Sequence, residues 1–289
     1  MRLMRPANIV TSVADVLAGI AISGFFTQTP LHPGNDRDFL FICLSTMGLY
    51  GGGIVFNDVF DAALDKIERP ERPIPSGLIS LPNAVALGSL LLLMGLVFAA
   101  LVNKVSGIIA LLIVIAALVY DKWGKHHPYL GPPNMGLCRG LNLLLGVSII
   151  PSVLPHWWYL AFIPIIYISA ITMISRGEVH GSHQKPLIFA AFLYALVIVL
   201  IFAFAWHKGM VWVTLPFLLL FAIMIFKPLL NAVKIRSGEA IGKAVKAGVI
   251  ALILMNGAWA AASGTWWLAL AIVLLLPLSI WLSRIFAVT

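Results

Sequence analysis

The chain has 289 residues, of which 61% are apolar and only 10% are charged, and its mean hydropathy is +1.01. A water-soluble globular protein has about 25% charged and 45–50% apolar residues, so this composition excludes that class. Apolar runs of roughly 20 residues, the length of a helix that crosses a bilayer, recur along the whole chain. The sequence therefore predicts a single integral-membrane domain over residues 1–289, an all-α bundle of transmembrane helices.

The apolar runs predict ten spans, with nine as the alternative because the last break, at 263–266, is weak. Segments rich in Pro, Gly and charged residues separate the runs, and such segments end helices. In chain order the predicted spans are 7–27, 39–57, 82–102, 106–121, 134–152, 158–175, 186–206, 210–228, 246–262 and 265–284. Cys43 and Cys138 both fall inside these runs, and their spacing supports neither a disulfide nor a zinc site.

The orientation follows from the Lys and Arg residues, which accumulate in cytoplasmic loops. In the ten-span arrangement, fifteen of the 19 basic residues fall on the side that holds both termini and the loops after the even-numbered spans. Three fall on the other side, and Arg139 lies within a span. We therefore expect a multi-pass protein of the cell inner membrane or plasma membrane, with both termini and the even-numbered loops in the cytoplasm. The net charge of +8 is mainly this topology signal, so a nucleic-acid partner is not expected.

Three carboxylates and one amide emerge at the end of the second span. At 100° per residue, Asn57, Asp58, Asp61 and Asp65 fall within about 100° of one another on a helix. Crowded carboxylates in an apolar setting require a cation, and oxygen ligands favour a hard ion such as Mg²⁺. Arg72 follows in a loop, where it could reach a phosphate. This pattern predicts a magnesium–diphosphate site; the alternative is a helix end that has reached water.

The same stretch resembles the first motif of the UbiA family of intramembrane prenyltransferases. The matching residues are Asn57-Asp58-x-x-Asp61-x-x-x-Asp65, then Arg69-Pro70-x-Arg72-Pro73 with Gly77 closing the motif. The resemblance extends through the ninth span. The tenth span, together with the Gly-Glu-Val-His-Gly loop at 177–181 and the Cys-Arg-Gly-Leu-Asn segment at 138–142, resembles a bacterial branch of UbiA-like proteins called EboC-like. The family resemblance implies that magnesium binds the diphosphate of a polyprenyl donor and that a small-molecule acceptor, of which an aromatic compound is one candidate, takes the prenyl group.

The resemblance also implies roles for individual side chains. The expected metal ligands are Asn57, Asp58, Asp61, Asp65 and Glu178. The residues expected to act in catalysis are Asp61, Asp65, Glu178 and Tyr120. The residues expected to contact the diphosphate are Arg72, Lys122, Lys125, Arg139, Asn142, Arg176 and Lys185.

The chain departs from the family in its second acidic motif, of the type D-x-x-x-D, after the sixth span. Glu178 stands at the first acidic position, but Ser182 stands at the second. The second metal site therefore looks impaired, although His180 or the serine oxygen could substitute and Arg176 and Lys185 could neutralise phosphate. This departure leaves open a protein that binds the lipid diphosphate without transferring it.

Other polar groups have two readings each. Tyr120 with Lys122 or Lys125 fits a phosphate contact or an interfacial belt of aromatic and basic residues. Arg139 and Asn142, three apart in the fifth span, could line the diphosphate pocket, or Arg139 could reach the headgroups. Asp15 in the first span could pair with another span.

The function predicted from these residues is Mg²⁺-dependent transfer of a prenyl group, within the membrane, by ionisation of the allylic diphosphate. Three alternatives remain at this stage: an isoprenoid-diphosphate binding or translocating protein, an intramembrane terpene cyclase, and a cation transporter. The position of the acids at a span end, beside arginines, argues against a conduction path.

Overall fold

The computed structural model describes residues 2–27, 35–127, 129–178, 181 and 183–285. All regular secondary structure in these ranges is helical. The α-helices are α1 (Pro6–Ile22), α2 (Asn35–Glu68), α3 (Leu81–Val102), α4 (Lys104–Lys122), α5 (Gly131–Val147), α6 (Leu154–Trp157), α7 (Phe162–Ser175), α8 (Gln184–His207), α9 (Val211–Ile235), α10 (Gly238–Ala262), α11 (Trp266–Val273) and α12 (Leu275–Ile285). Short 3₁₀ turns lie at Arg2–Met4, Gly124–His126, Pro151–Val153 and Trp158–Ala161.

This arrangement confirms the predicted membrane bundle. Within the described ranges, eight helical segments are long and apolar enough to cross a bilayer, and α1 is a shorter apolar helix. The remaining predicted span corresponds to α5, whose buried Arg139 and Asn142 lower its hydropathy. Each of the ten predicted spans therefore has a helical counterpart, with α6 and α7 together forming the sixth and α11 and α12 the tenth.

Several helix ends differ from the predicted bounds, and at the start of α10 a side-chain cap accounts for the difference. The second span was predicted to end at 57, but α2 continues to Glu68 and carries the whole acidic motif on one helix. The ninth span was predicted to begin at 246, but α10 begins at Gly238, where the Ser237 hydroxyl accepts a hydrogen bond from Ala240 N at 3.3 Å. Such caps satisfy the free backbone donors of a helix start, so polar segments can extend the spans.

Helix α10 lies at the centre of the bundle. Its most apolar window is 83% buried, whereas no other candidate span exceeds 50%. It packs against α1, α7, α8, α9 and α11. The largest hydrophobic core joins α10 to α1, α5 and α7–α9, and a second core joins α1, α2, α4 and α5. Helices α1 and α5 belong to both cores, so they connect the two parts of the bundle.

Candidate active site

A cavity of about 260 Å³ lies between the two parts of the bundle. Seven segments line it: the segment before α1 and the helices α1, α2, α4, α5, α7 and α10. One end carries Arg5, Asn57 and Asp121, whereas the walls include Ile113, Ile168 and other apolar side chains. On α2 the lining runs from Leu49 to Asn57, eight residues or about 12 Å of helix rise. The cavity is thus a deep apolar space with a charged mouth.

Next to that mouth, behind the lining residue Arg5, two carboxylates of α2 share basic partners. The Arg72 guanidinium contacts Asp65 Oδ2 at 2.7 Å and Asp58 Oδ1 at 3.3 Å through the same nitrogen, Nη1. Arg5 donates from Nη2 to Asp58 Oδ1 at 2.7 Å. Asp58 and Asp65 are both buried, and burial lowers the pKa of the Arg5 guanidinium because it removes the charge from water. These ion pairs hold the N-terminal segment and the loop after α2 against the helix.

On the other side, Asn57 and Asp61 face the end of α4 and the turn after it. Asn57 Nδ2 donates to Asp121 Oδ1 at 2.8 Å. Lys125 Nζ lies 2.5 Å from Asp61 Oδ1. The four polar residues of α2 therefore occupy one broad face, as predicted, but the structure divides it between two sets of partners.

The second acidic motif is described only in part. Ser182 and His180 lie outside the described residues, so the predicted substitution of a carboxylate by serine or histidine stays a prediction. Glu178 is half-buried; burial raises the pKa of its carboxyl, and the charge of nearby Arg69 opposes that shift. Its Oε1 is buried without a hydrogen-bond partner among the described residues. A buried acceptor of this kind suits a cation.

The donor chemistry at the mouth fits magnesium. The side chains on offer are carboxylates and one amide, which are the oxygen ligands this ion favours, and Glu178 supplies an unsatisfied oxygen. In the described part of the chain, however, no three His, Cys, Asp or Glu side chains converge on one point. The three carboxylates of the first motif form ion pairs instead: Asp58 with Arg5, Asp65 with Arg72, and Asp61 with Lys125. The residues to hold a metal are therefore present, and their joint coordination stays a prediction.

The other residues predicted to contact diphosphate lie at different places. Tyr120 lines the cavity beside Asp121. Arg176 is exposed near the mouth, where its Nη2 donates to the His127 carbonyl at 3.1 Å. Lys122 is exposed, with its ammonium 4.5 Å from the centre of the Trp123 ring, and Lys185 is exposed at the start of α8. Of the two lysines considered with Tyr120, the structure brings only Lys125 to the acidic motif.

Arg139 and Asn142 belong to a buried polar group at a deeper level. Arg139 Nη1 donates to Asp15 Oδ2 at 2.6 Å, and Asn142 Nδ2 lies 3.3 Å from the same oxygen. Asn256 of α10 donates to Asp15 Oδ1 at 2.6 Å. Arg139 lines the cavity, whereas Asn142 does not. The pairing of Asp15 with another span, one of the two readings of the sequence, is what the structure shows.

Two residues at the mouth were not among the predicted site residues. Arg5 had been counted only as a topology signal, although its place directly before Pro6 and the first span could have suggested an interfacial cation. Asp121 is not singled out by the acidic motifs; its position beside Tyr120 at the end of a span is the available signal. Both make their contacts across more than 50 residues of sequence, which spacing does not reveal.

Comparisons with known proteins agree with this geometry. The profile described as the UbiA prenyltransferase family matches residues 16–245. A curated relative, digeranylgeranylglyceryl phosphate synthase of Sulfurisphaera tokodaii, is 31% identical over 179 residues, which cover 62% of this chain and 61% of that protein. The chain thus spans about three fifths of the length of that relative.

Solved structures share the fold over more of the chain. A structure concerned with digeranylgeranylglyceryl phosphate synthase in membranes aligns with a TM-score of 0.67 at 24% identity, covering 91% of this chain and 96% of that one. A UbiA homologue from Archaeoglobus fulgidus bound to DMAPP and Mg²⁺ aligns with a TM-score of 0.61 at 17% identity, covering 85% of this chain and 97% of that one. At these identities the likeness establishes the fold.

Proposed function

The chain belongs to the UbiA prenyltransferase family, and we propose that it transfers a prenyl group from a polyprenyl diphosphate to an acceptor within the membrane, in a Mg²⁺-dependent reaction. The observation that carries this proposal is the cavity itself. Arg5, Asn57 and Asp121 line its mouth beside the ion pairs of the first acidic motif, and an apolar space about two helical turns deep lies below them. A lipid diphosphate has the same division into a charged head and an apolar tail.

The diphosphate would bind at the mouth. Arg5, Arg72 and Lys125 place three cations around the first-motif carboxylates, and charge-assisted hydrogen bonds from such groups are the strong contacts to phosphate oxygens. Asn57, Asp58, Asp61, Asp65 and Glu178 are the residues that would hold magnesium. When bound there, the ion supplies positive charge to the leaving diphosphate.

Transfer requires that the bond between C1 of the prenyl group and the diphosphate oxygen break with its electron pair going to that oxygen. The cations at the mouth stabilise the charge that develops on the leaving group. The apolar walls exclude water, which would otherwise capture the allylic cation. The aromatic rings that line the cavity, Tyr50 and Tyr120, are placed to stabilise that cation. The acceptor then forms a bond to C1 and releases a proton.

The acceptor is proposed as a lipid-type molecule that reaches the cavity from the bilayer. The support is the name shared by the curated relatives, digeranylgeranylglyceryl phosphate synthase, which denotes a glyceryl lipid. A small aromatic acceptor remains the other candidate. Both termini and the mouth of the cavity would face the cytoplasm, because the basic residues concentrate on that side.

The experiment that tests this function measures two quantities on the purified protein. The first is binding of geranylgeranyl diphosphate by calorimetry, with Mg²⁺ and with EDTA, in the wild type and in Asp61→Asn. The second is pyrophosphate release in the presence of membrane lipid extract. We expect binding that needs Mg²⁺ and is weakened by roughly tenfold or more in the variant, together with pyrophosphate release.

Asp38→Asn is the matched control, because Asp38 is at the other end of α2 and pairs with the exposed Arg37. Binding without pyrophosphate release would favour the lipid-diphosphate carrier. Release without any lipid acceptor would favour a cyclase. If no prenyl diphosphate binds under any condition, the proposed transferase is wrong.

A further inference from the structure

A second polar site lines the cavity below its charged mouth, centred on Arg139. Arg139 is 2% exposed, and its side chain donates to Asp15 Oδ2 at 2.6 Å and to Thr11 Oγ1 at 2.8 Å. Its guanidinium carbon lies 4.4 Å from the centre of the Tyr50 ring. We term Asp15, Arg139 and Tyr50 the Arg139 cluster; Arg139 and Tyr50 line the cavity, and Asp15 is the buried partner of Arg139.

The Arg139 cluster is electrically balanced. Asp15 carries the single negative charge opposite Arg139, and its remaining contacts come from the neutral amides of Asn142 and Asn256. An additional anion bound beside this pair would leave an uncompensated charge deep in an apolar bundle, which is costly. A neutral oxygen would add no charge.

The cluster also has an unused donor. Arg139 Nε is buried and has no hydrogen-bond partner among the described residues. A buried donor without a partner costs free energy, and an oxygen that reached Nε after a shift of the neighbouring side chains would recover part of that cost. Guanidinium and phenol together offer both N–H donors and a hydroxyl that donates or accepts.

The depth of the cluster separates it from the diphosphate. Tyr50 precedes Asn57 by seven residues on α2, so the two side chains lie on nearly the same face and about 10 Å apart along the helix. A diphosphate held at the mouth is shorter than that distance. The prenyl tail that the proposed function places at this depth has no polar atom, so a polar group that meets the cluster has to come from a second molecule.

We propose that the Arg139 cluster is a subsite for an uncharged, hydroxyl-bearing head group of the acceptor lipid, with Arg139 as the residue that determines its specificity. This inference rests on the proposed function for the identity of the second molecule in the cavity. It differs from the sequence-based prediction for Arg139, which assigned this side chain to the diphosphate. It also implies that a phosphate-bearing glyceryl lipid is not bound through this cluster.

The test compares two lipids that differ in one group: 1-O-hexadecylglycerol and 1-O-hexadecylglycerol 3-phosphate. Native mass spectrometry measures how much of each lipid remains bound to the wild type and to the double variant Asp15→Asn/Arg139→Gln, which removes both charges together. We expect the neutral lipid to bind the wild type and its affinity to fall by roughly tenfold or more in the double variant. Any binding of the phosphate lipid should be unaffected by the double variant and weakened by Lys125→Met.

Geranylgeranyl diphosphate binding with Mg²⁺ serves as the fold check on the double variant, and it reports on the proposed function separately. Tyr50→Phe is the second variant: it removes one hydroxyl and should weaken the neutral lipid by roughly threefold or more even if the double variant fails to fold. The proposal is overturned if the neutral lipid does not bind the wild type. It is equally overturned if neither variant weakens that lipid, or if the phosphate lipid is the one that depends on Arg139.

Discussion

Two lysines three residues apart differ sharply in their contacts. Lys125 is partly buried and forms an ion pair with Asp61 of α2, whereas Lys122 is exposed and lies over the Trp123 ring. We expect Lys125→Met to weaken geranylgeranyl diphosphate binding by roughly tenfold to a hundredfold, because a charge-assisted contact is lost in a partly dehydrated site. Calorimetric titration in the presence of Mg²⁺ measures the change.

Lys122→Met is the matched control, since it removes the same charge from the same turn. Its effect should stay within about twofold, because an exposed charge is screened by water and salt. Equal losses in the two variants would mean that the loop acts through its net charge, and the assignment of Lys125 to the site would not stand.

Arg5 connects the start of the chain to the acidic motif. Its backbone has φ +43°, a left-handed conformation that is unfavourable for a residue with a side chain, and its guanidinium is held by Asp58. We expect Arg5→Gln to weaken donor binding by roughly tenfold, because Asp58 would keep only the longer contact to Arg72. The loss of donor affinity should appear in calorimetric titration as a higher dissociation constant with an unchanged binding stoichiometry.

The control for Arg5 is Arg37→Gln, which removes an exposed arginine that is paired with its neighbour Asp38. If Arg5→Gln instead abolished folding, with loss of a monodisperse protein in detergent, Arg5 would be a structural residue rather than a ligand for phosphate. Retention of full donor affinity would exclude it from the site.

At the scale of the helices, α1 and α5 cross with their backbones in contact. A Cβ atom at Gly19 would clash with the Leu143 carbonyl oxygen, and one at Gly146 would clash with the Val16 carbonyl oxygen. Small residues at helix crossings allow this approach in membranes. We expect Gly146→Ala to destabilise the protein by roughly 1–3 kcal/mol, because backbone atoms have little freedom to move aside.

A thermal-shift measurement in detergent tests this, with Gly242→Ala as the control in α10. A Cβ atom at Gly242 would have no neighbour within 4 Å, so this substitution should be neutral or slightly stabilising through helix propensity. The Arg139 cluster depends on the same crossing, since Asp15 is on α1 and Arg139 is on α5. An unchanged melting temperature for Gly146→Ala would show that the crossing can open without cost.

The helices also show how far sequence reasoning extends. Hydropathy predicts where spans occur, because burial in lipid demands about 20 apolar residues, and the face shared by Asn57, Asp61 and Asp65 follows from helix geometry alone. The contacts between side chains on different helices could not be predicted in this way. Lys125 meets Asp61, and Arg139 meets Asp15, only after distant helices have packed, and no local periodicity encodes that choice.

At the scale of the whole molecule, four segments form the mouth of the cavity: the segment before α1, the part of α2 around Asn57, the end of α4 and the end of α7. All of these segments lie on the side with the excess of basic residues, so the mouth and the predicted cytoplasmic face coincide. The segment after α4, the third that is predicted to be cytoplasmic, brings Lys125 to the acidic motif. The predicted topology and the proposed chemistry therefore depend on the same charges, and the orientation of the protein would decide on which side the proposed diphosphate donor is taken up.

Cysteine labelling tests that orientation. In a background with Cys43→Ala and Cys138→Ala, Ser76→Cys introduces a thiol in the exposed loop after α2, and Lys104→Cys introduces one at the exposed start of α4, on the opposite side. A membrane-impermeant maleimide added to intact cells should label the thiol at position 104 alone. In inside-out vesicles the pattern should reverse, with position 76 labelled, because the basic loop is retained in the cytoplasm.

The reverse pattern in both preparations would turn the cavity mouth outward. The donor site would then have to be supplied with diphosphate from outside the cell, and the proposed transferase would lose its cytoplasmic source of substrate. The background without added cysteines controls for labelling of other groups. Labelling of position 76 should also fall when geranylgeranyl diphosphate and Mg²⁺ are present, because Ser76 lies four residues after Arg72 in the loop that Arg72 would hold against the bound head group.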